Sequence, residues 1–230
     1  MDRQSSGASE VTELIIERSV GIDRTVKALP EAFNVEGVVG EGRFAQVRAA
    51  TRVSDRRRVA LKGVAMEALE EDEETLAVLE AEVAALRKVS DRDEIKRHVV
   101  QLHEILCVSG DAIYLVLDLV SGSELFDVVD KHGAMPMAMV RHLTAQLLSA
   151  LVVMHEALSV VHRDIKPENL MVHGLQTRET ATLVLIDFGY AAIVPPTSGL
   201  RGVAGSPEYA APEVLAFLGP RAERKPYGPA

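Results

Sequence analysis

The chain has 230 residues, of which 47% are hydrophobic and 26% are charged, enough for one large domain or two small ones. Its formal net charge of -9 argues against binding to nucleic acid or to an anionic membrane surface, because both ligands require basic surface. A single cysteine, Cys107, excludes an intrachain disulfide framework and indicates a reducing, intracellular compartment. We expect a cytoplasmic protein, with the nucleus left open.

Membrane attachment is not expected from the sequence. No uninterrupted apolar run reaches the roughly 18 residues of a membrane span. The first residues, MDRQSSGASE, lack the apolar segment of a secretory leader.

The first 32 residues are predicted to be an extension of the main domain. Residues 1–10 are polar and small, which is typical of disorder. Residues 11–29 are compatible with a short helix, which Pro30 would end.

From residue 33 the pattern becomes β-rich around a single helix. FNVEGVVGEGRFAQVRAATR and RRVALKGV predict strands. Residues 70–89 are predicted to form a helix, because acids open the segment and apolar residues recur at helical spacing. HVVQLHEILCV and AIYLVLDLV predict two further strands.

The last part of the chain is mostly helical in pattern. Residues 137–158 have apolar residues at helical spacing, NLMV and ATLVLID resemble short strands, and APEVLAFL resembles a helix start. The order of elements predicts an α+β fold with two unequal lobes, one over residues 33–119 and one over residues 120–230.

The first candidate for chemistry is the glycine-rich stretch GEGRFAQV. Gly40 and Gly42, on either side of Glu41, allow the backbone to approach a phosphate chain closely. A glycine hairpin without a ligand explains this stretch equally well. The stretch fails the dinucleotide fingerprint, because no helix follows it.

The second candidate is Lys62, which ends the apolar run VALK. Its ammonium either snorkels at a sheet edge or points inward at phosphates that the glycine loop covers. A buried lysine needs a carboxylate partner. Glu80 and Glu82 both lie on the following helix, and Glu82 is preferred because it falls beside the apolar stripe.

The stretch VVHRDIKPENL carries the densest polar chemistry. Asp164 can accept a proton from an attacking hydroxyl, and Lys166 can stabilise charge on a transferring phosphoryl group. Asn169 and, after the strand VLID, Asp187 offer the hard oxygen donors that Mg²⁺ prefers. With Lys62 and the glycine loop, these residues predict a phosphoryl-transfer site.

The motifs GEGRFAQV, VALK, HRDIKPEN, DFG and AAPE stand in the order that is typical of eukaryotic protein kinases, and the chain resembles that family from residue 33 onward. The resemblance implies a bilobal kinase fold, ATP and Mg²⁺ as cofactors, and transfer of the γ-phosphate to a protein hydroxyl. Lys166 two residues after Asp164 is the serine/threonine pattern. LVLDLVSGSELFD is similar to the calcium/calmodulin-dependent kinase group.

The resemblance also implies roles for individual residues. Asp164, Lys166, Lys62 and Glu82 would be catalytic, and Asn169 and Asp187 would hold metal ions. The nucleotide would be bound by Gly40, Glu41, Gly42, Val47, Ala60, Lys62, Leu117, Asp118, Val120, Glu124, Glu168 and Leu170. In that set Leu117 would be the gatekeeper, and residues 118–120 the hinge whose backbone binds adenine.

The resemblance further implies partners. Glu124 and Glu168 stand where related kinases meet arginines ahead of the target serine, so a basic protein substrate is expected. Arg163 implies an upstream kinase acting on the activation segment, where Thr197, Ser198 and Ser206 lie.

Two departures from the family leave the function open. The third glycine of the loop is Ala45, and the chain ends shortly after AAPE, before the Asp-x-Trp-x-x-Gly helix of the family. We therefore expect an incomplete helical lobe. Three interpretations remain: an ATP-dependent serine/threonine kinase, a catalytically inactive module that binds a nucleotide or a partner, and a fragment that does not fold alone.

Overall fold

The computed structural model describes residues 3–41, 45–195, 197–220 and 225–228, with side chains from Thr12 onward. The contacts divide the chain into two compact units. The first comprises Met1–Val83 and Gln101–Leu119, and the second comprises Ala84–Val100 and Val120–Ala230.

The first unit is built on a β-sheet. One helix precedes the first strand, and further helices lie between β4 and β5 in the chain. In chain order its elements are α1 (Arg3–Val20), β1 (Arg24–Val26), β2 (Phe33–Glu41), β3 (Gln46–Arg52), β4 (Arg58–Ala65), α2 (Met66–Glu71), the start of α3 (Glu73–Ser90), β5 (Leu102–Val108) and β6 (Ala112–Asp118).

The strands of the first unit form one six-stranded sheet in the order β1-β5-β6-β4-β3-β2. All neighbouring strands are antiparallel except β1, which pairs with β5 in parallel. Because side chains alternate along each strand, one face of the sheet is an apolar core. This core contains Ala32, Phe33, Ala50, Val59, Leu61, Leu106, Val108 and Val116.

The N-terminal segment is part of this unit, and the helix there differs from the predicted one. α1 already begins at Arg3, within the stretch whose composition indicated disorder, and it ends at Val20 rather than near residue 29. The chain then forms β1, whose three residues pair with Leu106, Cys107 and Val108. The carboxylate of Asp23 accepts the backbone N–H of Ile105 at 2.7 Å, which ties the start of β1 to β5.

We expect the docking of α1 to contribute measurably to stability. Ile16 is 1% exposed, whereas its neighbour Ile15 is 59% exposed. Ile16→Ala should lower the free energy of unfolding by about 2–4 kcal/mol, because it leaves a cavity at a buried site. Ile15→Ala should change it by less than about 0.5 kcal/mol. Urea denaturation of both variants tests this expectation, and equal effects would show that α1 is not docked in solution.

The predicted helix over residues 70–89 is two helices. α2 ends at Glu71, and Asp72 begins α3 by accepting the backbone N–H groups of Glu74 and Thr75. A carboxylate at this position satisfies N–H groups that have no partner inside the helix. The break at Asp72 separates the predicted acidic run into the end of one helix and the start of the next.

The second unit combines short strands with helices. After the end of α3, its elements are β7 (Ser123–Glu124), α4 (Leu125–His132), α5 (Met137–Val152), β8 (Val160–Val161), β9 (Leu170–His173), β10 (Thr182–Leu185), β11 (Ala192–Ile193) and α6 (Pro212–Leu215). The strands form the antiparallel set β10-β9-β7 and the pair β11-β8. The predicted α+β class is therefore confirmed.

α5 supports the strand that leads to Asp187. It begins at Met137 as predicted, and a π-helical turn over Val153–Ala157 continues it. Its Gln146 accepts the backbone N–H of Leu183 and donates to the carbonyl of Ala181, both in or next to β10. These contacts fix one end of β10 against α5.

The same helix is the one segment among the described residues, Met137–Ala157, that has the length and composition of a membrane span. Helices that pack in protein cores have such compositions as well. The finding alone therefore assigns no membrane.

Candidate active site

Lys62 and Glu82 form a buried ion pair in the first unit. Lys62 is on β4 and Glu82 is on α3, and Nζ donates to Oε1 at 2.6 Å. The two residues are 8% and 4% exposed. The structure thus pairs Lys62 with the glutamate preferred over Glu80, while the catalytic roles of both residues stay predictions.

The residues predicted to line the nucleotide slot in this unit share one face of the sheet. Val47 is the register partner of Lys62, and Ala60 is the register partner of Leu117. Directly paired residues point to the same face, and so do residues two apart on a strand. Val47, Ala60, Lys62 and Leu117 therefore lie together on the face opposite the apolar core. This arrangement suits a flat apolar ligand beside a fixed positive charge.

The glycine loop is described only in part. Gly40 pairs with Val47 near the end of β2, and Glu41, the last residue of β2, pairs with Gln46 and is exposed. Gly42 lies outside the described residues, so its predicted contact with phosphate stays a prediction. A Cβ at Gly40 would meet Val47 at an ordinary 3.7 Å, so space alone does not require glycine there.

In the second unit, Asp164 is the centre of a hydrogen-bonded group. Its Oδ1 accepts the backbone N–H of Ser206 at 2.7 Å, and its Oδ2 accepts Nδ2 of Asn169 at 2.9 Å. Nζ of Lys166 lies 3.1 Å from Oδ2 and donates to the Ser206 hydroxyl at 2.8 Å. The structure thus brings Asp164, Lys166 and Asn169 together, with Ser206 as a fourth member.

The charges of this group are set by their surroundings. Burial raises the pKa of Asp164, but hydrogen bonds from Ser206 and Lys166 outweigh burial and lower the pKa overall. Burial lowers the pKa of Lys166, but its bond to Asp164 outweighs this and raises the pKa. Ionised Asp164 therefore adds stability above the usual carboxyl pKa, and this is lost as the pH falls through the lowered value.

Asn169 and Asp187 have the donor atoms that a magnesium ion requires. Asn169 uses its amide NH₂ to bind the carbonyl and the carboxylate of Asp164, which leaves its Oδ1 as the atom for a cation. Asp187 follows β10 with a positive φ of 57°. Such a conformation is strained for a residue other than glycine, and strained residues concentrate at functional sites. Both residues fit the predicted metal role.

Glu124, Asp127 and Glu168 bring negative charge together in the second unit. Burial raises the pKa of Glu124, and the nearby charges of Asp127 and Glu168 raise it further. The Oε2 atom of Glu168 is buried and has no hydrogen-bond partner among the described residues. This group would bind a cation favourably. Asp127 was not predicted as a site residue. Its position in the first turn of α4, three residues after Glu124, is a signal that could have identified it.

Two predicted nucleotide contacts remain to be placed. Leu170 is 6% exposed and starts β9, where it pairs with Leu185. Val120 begins the second unit's later segment. Their contact with a nucleotide stays a prediction.

Gly205 was missed as a site residue by sequence reasoning. Its φ is +83°, and a Cβ there would lie 2.0 Å from the carbonyl oxygen of Arg163, the residue before Asp164. Only glycine fits this close approach. The sole sequence signal was a glycine next to Ser206, which is too common to single out.

Gly205→Ala should therefore displace the backbone at Arg163 and Asp164 and reduce the predicted phosphotransfer by about 100-fold, since small misplacements of reacting groups have effects of this size. Gly133→Ala is a matched control, because Gly133 also has a positive φ (+75°) but nothing within 4 Å of its Cβ position. Steady-state kinetics of both variants separates the steric clash from backbone strain. Equal losses would contradict a specific role for the close approach.

The comparisons with known proteins agree with the motif order. A family model described as protein kinase domain matches residues 33–230. CBL-interacting serine/threonine-protein kinase 16 of Arabidopsis thaliana is 33% identical over 205 residues, covering 84% of this chain and 41% of that protein. Calcium/calmodulin-dependent protein kinase type 1B of Rattus norvegicus is 32% identical over 210 residues, covering 91% of this chain and 55% of that protein.

This chain spans about half the length of the curated relatives that it matches. The match begins at Phe33, so α1 and β1 lie outside the family model. The kinase fold that the motifs predicted is confirmed by this match. The chain belongs to the eukaryotic protein kinases, of the serine/threonine type and near the calcium/calmodulin-dependent group.

Proposed function

We propose that the protein transfers the γ-phosphate of ATP, with Mg²⁺, to the hydroxyl of a serine or threonine in a protein substrate. The observation that carries this proposal is the arrangement around Asp164. The carboxylate of Asp164 and the ammonium group of Lys166 lie 3.1 Å apart, and both bind the side chain of Ser206. A base beside a cation suits the activation of a substrate hydroxyl and the stabilisation of a transferring phosphoryl group.

In this mechanism, each polar side chain has a defined task. Asp164 accepts the proton of the substrate hydroxyl, and Lys166 balances negative charge on the oxygens in transfer. Lys62, oriented by Glu82, would hold the phosphates of the nucleotide. Asn169 and Asp187 would hold Mg²⁺, which neutralises charge on the phosphate oxygens when it is bound.

We further propose that the substrate carries basic residues ahead of its serine or threonine. Glu124, Asp127 and Glu168 supply the negative charge, and the buried Oε2 of Glu168 offers an acceptor for a guanidinium group. Because the pKa of Glu124 is raised, peptide binding should weaken as the pH falls toward that raised value.

The test compares serine peptides that have arginine or uncharged citrulline ahead of the serine. Glu168→Gln should raise the KM for the arginine peptide by about 10-fold, since a charge-assisted hydrogen bond is lost, and leave the KM for the citrulline peptide unchanged. Glu179→Gln is the control, because Glu179 is an exposed glutamate of the same unit. Equal KM values for both peptides in the unaltered protein would refute the basic preference but not the phosphotransfer.

A regulatory partner is also proposed. Arg163 lies directly before Asp164, and its Nε donates to the carbonyl of Tyr190 at 2.6 Å, at the start of the activation segment. An upstream kinase that phosphorylates this segment would give Arg163 a charged partner. Thr197 and Ser198 are the candidate acceptors.

The competing function is a module that binds nucleotide without transferring phosphate. The apolar residues Met137, Leu148 and Val152 on α5 are more than half exposed, which suits a surface that a partner covers. A cooperative melt that ATP raises, without transfer to any peptide, would favour this alternative. Transfer that requires Asp164 would exclude it.

A further inference from the structure

The carboxylate of Asp118 is held by donors from two neighbouring segments. Its Oδ1 lies 2.7 Å from Nε2 of His103 and 3.1 Å from Nη2 of Arg57. The backbone N–H of Gln101 donates to the same carboxylate, and the N–H of Asp118 donates to the carbonyl of Gln101 at 3.0 Å. Both the main chain and the side chain therefore tie the end of β6 to the segment that enters β5.

His103 reaches Asp118 because β5 contains an irregularity. The register passes from Leu102 opposite Leu117 to Glu104 opposite Val116, so His103 is an extra residue in the ladder. Bulges of this kind re-aim a side chain and recur beside functional sites. The His103 side chain is largely buried, at 17% exposed.

The other charges near His103 are already paired. Glu104 forms ion pairs with Arg24 at 3.2 Å and with Arg52 at 3.7 Å. Within the described residues, the Asp118 carboxylate is therefore held by His103, Arg57 and the main chain of Gln101.

The side chain of Asp118 points away from the proposed nucleotide slot. Asp118 pairs with Val59, and the adjacent pair is Leu117 with Ala60, so the two pairs lie on opposite faces of the sheet. The carboxylate consequently cannot touch a nucleotide beside Ala60. It acts on that ligand only through the main chain, which begins the predicted hinge at this residue.

We propose that His103 is a positioning residue, which holds the main chain at Asp118 for adenine. This inference rests on the proposed function. A hydrogen bond to an ionised carboxylate is stronger than one between neutral groups, and a main chain held in its bound conformation loses less entropy on binding. Adenine affinity should therefore depend on the contact between His103 and Asp118.

The experiment measures adenosine binding by calorimetry, because adenosine has no phosphate group that titrates or that contacts Lys62. His103→Leu removes the donor and should raise the Kd for adenosine by about 3- to 10-fold, the size of one hydrogen bond. His103→Gln keeps a hydrogen-bond donor at this position and should keep most of the affinity of the unaltered protein. The KM for the peptide should not change in either variant.

Arg57→Gln provides a second test that does not threaten folding, since the Arg57 side chain is 52% exposed. It should weaken adenosine binding by a smaller factor of about 2, as expected for an exposed ion pair. Adenosine binding by His103→Leu that equals the unaltered protein would overturn the inference. So would a His103→Gln variant that binds adenosine as weakly as His103→Leu. Absence of adenosine and ATP binding by the unaltered protein would overturn the proposed function as well.

Discussion

Asp164→Asn is expected to reduce phosphotransfer by about 10²- to 10⁴-fold, the usual contribution of a general base. The amide cannot accept the proton of the substrate hydroxyl. It also places an NH₂ group at one of the two carboxylate oxygens, where Asn169 and Lys166, or the backbone of Ser206, donate hydrogen bonds. The effect should appear in kcat, with transfer from Mg-ATP to an arginine-containing serine peptide as the measurement.

The control for this variant is another aspartate of the same unit. Asp93 is exposed and pairs only locally with Lys96, so Asp93→Asn should keep full activity. We expect ATP to raise the melting temperature of Asp164→Asn and of the unaltered protein by the same amount, because nucleotide binding does not require the base. Phosphotransfer unchanged by Asp164→Asn would mean that another group accepts the proton.

Local patterns predicted the elements that carry most of the candidate site. The β-prone apolar run in RRVALKGV placed β4 correctly, and with it Lys62. The helical spacing of apolar residues placed Glu82 beside the stripe of α3 that faces the protein, whereas Glu80 falls on another side of the helix. Such predictions succeed because the spacing of apolar residues within one short segment reflects the secondary structure of that same segment.

Contacts between distant residues were not predictable in this way. The strand β1 has three residues, too few to show a period, and its parallel partner β5 is about 80 residues away. The contact between His103 and Asp118 depends on a one-residue irregularity in β5, which leaves no mark in the pattern of apolar residues. Gly205 is required by the carbonyl of Arg163, and nothing near Gly205 in the sequence shows that contact.

Resemblance to a family supplied what the patterns could not. The grouping of Asp164, Lys166 and Asn169 follows from one short loop, but Ser206 joins them from about 40 residues later. The pattern of either stretch alone does not show that the two meet. The N-terminal segment lies outside the family model, and for that segment neither source of information predicted the strand β1.

Lys62→Met is expected to abolish measurable phosphotransfer and to lower the free energy of unfolding by about 3–5 kcal/mol. The loss of stability follows because the buried carboxyl group of Glu82 would lose the ammonium that now lies 2.6 Å away. The loss of activity follows because the ammonium group that is proposed to hold the phosphates of the nucleotide would be gone. Chemical denaturation and the peptide assay measure the two effects separately.

The double variant Lys62→Met with Glu82→Leu separates the structural role of the pair from its chemical role. Replacing a buried ion pair with apolar side chains of similar size is often neutral or stabilising, so most of the lost stability should return. Activity should not return, since neither replacement carries a charge. If the double variant regained phosphotransfer, Lys62 would serve only to satisfy Glu82. If it stayed as unstable as Lys62→Met, the pair would not be the source of the destabilisation.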